Sequence, residues 1–110
     1  GRENREDRME HLEAAFGKNE GIFEIEPAAT AAGTGRAAVT VVAGDRRVPG
    51  HCEPEKMKAW RVDDETAADL LDYTAALTLR YGGEVDVLPA DRIPGENGVG
   101  VIPRYPLSAT

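Results

Sequence analysis

A change of hydrophobic period near Gly82 constrains the fold more than any other feature of this sequence. Before it, apolar residues recur every three or four positions, which is typical of a helix with one buried face. Thr66 followed by Asp69 resembles a capping box, and Gly82 suits the left-handed conformation that ends many helices. Residues 84–88 then alternate between polar and apolar side chains, as strands do. We therefore expect a helix from Thr66 to Tyr81 that leads into a strand.

An almost continuous apolar run at residues 36–44 predicts the central strand of a sheet. The run includes Val39, Val41 and Val42. It is rich in β-branched side chains and lacks a polar face, which is typical of a strand covered on both sides. We expect the helix described above to pack on this strand through Leu70 and Leu77.

Shorter segments predict two more strands and a short helix. Residues 21–26, where apolar and acidic side chains alternate, and residues 99–102 both have strand character and are each followed by a proline. Pro27 also suits the first turn of a helix. Residues 28–32 therefore predict a helix of about two turns.

Residues 3–16 predict an outer helix with a narrow buried stripe. The stripe consists of Met9, Leu12 and Phe16, and Asn4 is a candidate N-cap. Because helices alternate with strands, we expect an α/β fold, a three-layer α/β/α sandwich around a small mixed sheet. Residues 45–65 show no sustained period and predict a long loop, in which residues 55–60 can form one or two helical turns.

Length and composition indicate one small domain, residues 1–110, and a reducing compartment. The 110 residues suffice for a single core, and no apolar run approaches a membrane span. Because the sequence begins at Gly1, we expect it to be a piece of a longer protein. Cys52, the single cysteine, suits a cytoplasmic location. The net charge of −7 disfavours nucleic acid as a partner of the whole surface.

Three groups of residues resemble reactive sites only superficially. His51, Cys52, Glu53 and Glu55 are zinc-binding types, but their spacing does not provide a closed site. The segments 33–36 and 95–98 contain paired glycines without either phosphate-loop pattern. Asp63, Asp64 and Glu65 precede the predicted helix, where carboxylates favour its dipole. We expect no catalytic residue, no metal and no cofactor; an enzyme that uses residues 51–55 is the alternative.

Five residues of the predicted 45–65 loop are candidate partner contacts. Trp60 is the only tryptophan, a residue type enriched at interface hot spots, although closing an edge of the core is the alternative role. The cations among the five are Arg46, Arg47, Lys56 and Lys58.

Two stretches, FGKNEGIFEIEPAATAAGTGRAAVTVVAG and ETAADLLDYTAALTLRYGGEVDVLPADRIPGENGVGVIPRY, carry a family resemblance. They resemble the third, C-terminal domain of archaeal and eukaryotic peptide-chain release factors. They are more similar to related bacterial proteins, which include relatives of ribosome-associated hibernation and rescue factors. The resemblance spans about residues 8–105 and depends on patterns such as the helix that ends in Tyr81-Gly82-Gly83 and the closing segment 98–105.

The resemblance implies an α/β/α sandwich shared with kink-turn-binding ribosomal proteins, and a role in protein contacts. The family's Gly-Gly-Gln motif lies in another domain, and Gly82-Gly83-Glu84 is not its equivalent. Some archaeal relatives carry a cysteine-rich zinc ribbon where this sequence has only Cys52. The resemblance thus implies a bacterial, non-enzymatic domain that contacts the ribosome or a translation-factor protein, with no membrane and no small-molecule substrate.

Kink-turn RNA binding is a further alternative on the same fold. The corresponding RNA-contact region is predicted at Glu24, Glu26, Pro27 and Ala28, which include two carboxylates and no cation. Phosphate binding needs several cationic contacts. We therefore expect no direct binding of kink-turn RNA.

Overall fold

The computed structural model describes residues 5–18 and 21–105. Within these residues, three helices and six strands follow one another: α1 (Arg5–Gly17), α2 (Ile25–Gly33), β1 (Ala37–Ala43), β2 (Pro49–Glu53), β3 (Lys58–Arg61), β4 (Ala68–Asp69), α3 (Leu70–Arg80), β5 (Glu84–Leu88) and β6 (Val99–Pro103). Short 3₁₀ turns occur at Pro54–Lys56 and Ala90–Arg92.

The main sheet is mixed and has the order β5-β1-β6. Strand β1 is parallel to β5 and antiparallel to β6, so Thr40 lies beside Val85 on one side and Val101 on the other. The prediction that the apolar run forms the central strand is confirmed. Strand β6 continues through Pro103 instead of stopping before it. Proline is tolerated there because β6 is an edge strand of this sheet.

Helices cover both faces of this sheet, so the predicted α/β fold is confirmed. On one face, Gly100 lies opposite Val41, and a side chain at Gly100 would come within 2.8 Å of the Phe16 ring of α1. On the other face, Thr40 meets Thr78 of α3. Helix α2 packs against α3, with Gly33 beside Leu77. Met9, Leu12 and Phe16 are all buried, as the predicted stripe of α1 requires.

Helix α3 meets the central strand through a pair of hydroxyl groups, a contact that the predicted packing through Leu70 and Leu77 did not include. Leu70 is fully buried but packs against Gly50 of β2, and Leu77 is half-buried beside α2. The Oγ1 atoms of Thr40 and Thr78 lie 2.6 Å apart. Both residues are buried, with at most 1% of their surface exposed to solvent. The helix face toward β1 therefore includes a buried polar pair, which the apolar spacing did not predict.

The start of α3 also differs from the prediction, because Asp69 caps the helix and Thr66 does not. One Asp69 carboxylate oxygen accepts from the Leu71 N–H at 3.1 Å and from the Val48 N–H at 3.0 Å. Thr66 instead donates to Asp64 within the preceding turn. A short carboxylate that satisfies an orphan helix N–H fixes the start at Leu70.

The predicted strand at residues 21–26 is wrong, because helix α2 already begins at Ile25. Only Ile22 pairs with β6, through Val101. Pro27 is the third residue of α2, where the helix needs no N–H donor. The Ile25 N–H is accepted by the Asn97 side chain at 2.7 Å. Asn4, the predicted cap of α1, and residues 19–20 lie outside the described residues.

The predicted 45–65 loop is also wrong, because it contains a hairpin. Strands β2 and β3 are antiparallel, and β4 pairs with β2 to give a second sheet in the order β3-β2-β4. The helical turn predicted at residues 55–60 is reduced to the 3₁₀ turn Pro54–Lys56, which connects the two strands. Pro49 is the first residue of β2, a position that proline tolerates.

The direction of the buried hydroxyl chain generates a stability prediction. Thr78 donates its only hydroxyl proton to the Thr74 carbonyl oxygen, so Thr40 must be the donor to Thr78. Thr78→Val would leave the buried Thr40 hydroxyl without an acceptor, and we expect a loss of about 2 kcal/mol in unfolding free energy. Thr40→Val should cost less, because Thr78 keeps its own acceptor. Urea denaturation of the two single variants and of the double variant measures each loss of unfolding free energy. A loss in the double variant that exceeds the sum of the two single losses would contradict this explanation.

A second prediction concerns the ion pair between α1 and the segment after β5. The Arg92 guanidinium donates to both Glu13 carboxylate oxygens, at 2.6 and 2.9 Å. This hydrogen-bonded pair lowers the pKa of Glu13 below 4.5, its ordinary value. A carboxylate whose pKa is lower in the folded state stabilises the fold above its unfolded pKa and loses that effect as the pH falls.

We therefore expect Glu13→Gln to be less stable than the unmodified chain at pH 7. The difference should disappear as the pH falls through the lowered pKa of Glu13. Urea midpoints at pH 7 and near pH 3 measure it, with Glu10→Gln, an exposed residue of the same helix, as the matched control. An equal difference at both pH values would contradict this explanation.

Candidate protein-contact surfaces

Strand alternation separates the hairpin residues onto two sides. His51 pairs with Trp60, and their rings are in an edge-to-face arrangement with centroids 6.1 Å apart. Lys58 lies two residues from Trp60 on the same side of β3. Gly50 and Ala59 face the other way and are buried. Trp60 remains 39% exposed, so it does not close the core.

A small recess lies where the hairpin meets the end of α3. It has a volume of about 60 Å³, enough for the tip of one partner side chain. Its lining includes Pro54, Met57, Lys58, Tyr73, Leu77, Arg80 and Tyr81. Met57 and Tyr81 are 51% and 46% exposed beside it. We call these lining residues together with Trp60 the hairpin surface.

Local structure fixes several side chains of the hairpin surface. Met57 has a φ of 53°, a left-handed conformation that non-glycine residues seldom adopt. The Arg80 guanidinium carbon lies 5.8 Å from the centre of the Tyr81 ring, within the range of a cation–π contact. Burial raises the pKa of Tyr73, with smaller contributions from Cys52 and Glu55. Tyr73 is therefore a neutral hydrogen-bonding group at neutral pH.

A second, larger groove contains two of the predicted cations, Arg46 and Arg47. Its volume is about 430 Å³, and we call it the arginine groove. It is lined by Arg46, Arg47, Val48, Pro49, Arg61, Val62, Asp63, Glu96 and Asn97. Arg47 donates to the carbonyl oxygens of Glu65 and Ala67, at 3.0 and 2.7 Å. Arg46 donates to the carbonyl oxygen of Glu96.

The five predicted contact residues therefore do not form one patch. Arg46 and Arg47 line the arginine groove, whereas Lys58 and Trp60 belong to the hairpin surface. Lys56 is engaged in a salt bridge with Glu53 at 3.4 Å on the hairpin itself.

The structure adds cations and apolar residues that the sequence did not indicate. Arg61 joins the arginine groove, and Arg80, Met57 and Tyr81 join the hairpin surface. The alternation of residues 58–61 was the available signal, because it predicts a strand with Trp60 and Arg61 on opposite sides.

His51 and Cys52 are neighbours on β2, so their side chains project to opposite sides and do not form a thiol–imidazole pair. Across the described ranges 5–18 and 21–105, no group of three or more potential ligands is suited to a metal ion.

The other superficial site resemblances correspond to turns. Gly35, Gly95 and Gly98 have φ values of 74°, 82° and 72°, as turns that require glycine do. Asp64 accepts from both the N–H and the hydroxyl of Thr66, and these bonds lower the pKa of Asp64. The prediction that residues 63–65 serve the helix dipole is wrong, because α3 begins only at Leu70.

No protein-family model matches this chain, and no curated protein matches it significantly. None of the helices in the described part of the chain is long and apolar enough to cross a membrane.

Both surfaces depend on the close contact between β2 and α3, which generates a prediction at Gly50. A β-carbon there would overlap Leu70 Cδ1 and come within 2.5 Å of the Trp60 carbonyl oxygen. We expect Gly50→Ala to lower the unfolding free energy by about 2 kcal/mol through overpacking. Gly17→Ala is the matched control, since no atom lies within 4 Å of its added carbon. Equal thermal stability of the two variants would show that the hairpin is not tightly held.

Proposed function

We propose that this chain is a non-catalytic protein-interaction domain of a bacterial release-factor-like translation factor, and that the hairpin surface contacts the ribosome or a translation-factor protein. One observation carries this proposal: exposed Met57 and Tyr81 line a small recess together with two cations, Lys58 and Arg80, and exposed Trp60 lies on the same hairpin. Methionine, aromatic residues and arginine are the types enriched in protein interfaces.

The recess supports a contact with one anchoring side chain. Its volume of about 60 Å³ is too small for an ordinary substrate, since ligand pockets usually measure about 300–1,000 Å³. Interfaces commonly concentrate their binding energy where one anchor enters such a recess. The surrounding aromatic rings then exclude water from the anchor.

The translation-factor assignment comes from the sequence resemblance. Its residues include helix α3 and strands β1, β5 and β6, around which the α/β fold is built. Kink-turn RNA binding is disfavoured at Glu24 and Glu26, because both add negative charge and the Glu26 carboxylate already accepts from the Arg61 N–H at 3.3 Å. A kink-turn RNA titrated at about 0.15 M salt should show no saturable binding.

Co-sedimentation of the full chain with purified bacterial ribosomes tests this proposal. Met57→Gly removes the exposed side chain at a position whose backbone conformation favours glycine, so the fold should be retained. We expect Met57→Gly and Trp60→Ala each to weaken binding about tenfold, the effect of losing a hot-spot residue.

Leu79→Ser is the matched control, because Leu79 is 61% exposed on α3 and does not line the recess. This variant should bind as the unmodified chain does. Absence of sedimentation above the ribosome-free control would exclude the ribosome as the partner. Binding that neither variant weakens would exclude the hairpin surface.

A further inference from the structure

The arginine groove concentrates positive charge on an acidic protein. The chain has 13 Lys and Arg residues against 20 Asp and Glu residues, yet three arginines line this one groove: Arg46, Arg47 and Arg61. The salt bridges between described residues lie elsewhere, at Glu53 with Lys56 and at Glu13 with Arg92. The three guanidinium charges are therefore not neutralised by ion pairs within the described residues.

Backbone contacts hold two of these guanidinium groups at the groove. Arg47 is fixed by two carbonyl oxygens of the segment before β4, and Arg46 by the carbonyl oxygen of Glu96. Carbonyl oxygens orient a guanidinium without cancelling its charge. Each group keeps further N–H donors, because arginine has five. The Arg61 guanidinium makes no hydrogen bond or ion pair to any described residue.

Asn97 adds a neutral donor to the groove. Its Oδ1 atom accepts from the Ile25 N–H at 2.7 Å, which directs that oxygen toward α2. The side-chain NH₂ group has two donors and is left for a ligand. The groove therefore combines three guanidinium groups with one oriented amide donor.

We propose that the arginine groove binds an acidic protein segment, whose Asp or Glu carboxylates pair with Arg46, Arg47 and Arg61. Planar guanidinium groups bind carboxylates through two parallel hydrogen bonds. The volume of about 430 Å³ accommodates a few peptide residues. This site is separate from the hairpin surface and does not depend on the function proposed above.

The two carboxylates of the groove favour a peptide over RNA. Asp63 and Glu96 line the same groove, so a phosphate backbone that crossed it would meet negative charges between the arginines. A peptide can place its carboxylates at the arginines and its uncharged backbone N–H groups at Asp63 and Glu96.

An NMR titration of the ¹⁵N-labelled full chain tests the proposal. The probe is a capped hexaglutamate peptide, compared with capped hexaglutamine and with a uridine hexanucleotide. We expect saturable shifts of backbone amides at residues 46–48, 61–63 and 96–98 with hexaglutamate. Hexaglutamine should produce none, and the nucleotide should bind more weakly.

Arg61→Gln is the decisive variant, because its side chain makes no bond that the described fold needs. We expect hexaglutamate affinity to fall about tenfold, which corresponds to one charge-assisted contact. Arg36→Gln removes the same charge from an exposed position outside the groove and should retain the affinity. Equal loss in both variants, shifts located elsewhere, or tighter binding of the nucleotide would each overturn the proposal.

Discussion

The buried contact between Thr40 of β1 and Thr78 of α3 is the constraint on which the rest of the structure depends. At 2.6 Å between hydroxyl oxygens, it brings helix and strand closer than two leucine side chains would allow. Gly83 permits the same approach at the end of the helix, where a side chain would come within 2.5 Å of the Ala37 carbonyl oxygen. With its hydroxyls on the sheet, α3 directs Leu70 to the hairpin and Leu77 to α2. One helix thereby connects three neighbours.

The sequence predicted those elements whose burial pattern is repeated over several turns or residues. Strand β1 and the buried stripe of α1 have such patterns, and the structure confirms them. Strand β5 is also present where it was predicted, although Val87 in it is 52% exposed. Residues 21–26 contain too few alternations to exclude a helix start, and long-range contacts decide the outcome there. The backbone N–H of Ile25 donates to the Asn97 side chain, which lies 72 residues away in the chain. No local pattern encodes such a partner.

The candidate surfaces were harder to predict because the hairpin is short and its strands contain unusual residues. Proline and glycine at positions 49 and 50 normally indicate a turn. Here proline occupies the first strand position and glycine makes room for Leu70. Once the hairpin is missed, Arg46, Lys58 and Trp60 look like one basic segment. Strand alternation and the second sheet instead divide them between two surfaces. Each surface also includes an arginine from outside the predicted set, Arg61 or Arg80.

The two surfaces share β3, and this limits how they can act together. Trp60 projects to one side of the strand and Arg61 to the other, so one rigid partner would have to pass around an edge of the hairpin to reach both. The backbone N–H of Arg61 donates to the Glu26 carboxylate of α2. It is therefore not available to pair with a strand added at the edge of β3. Two separate segments, one apolar and one acidic, fit this geometry better than a single strand paired to β3. The short contact of Gly50 with Leu70 then holds both surfaces in place through the same hairpin.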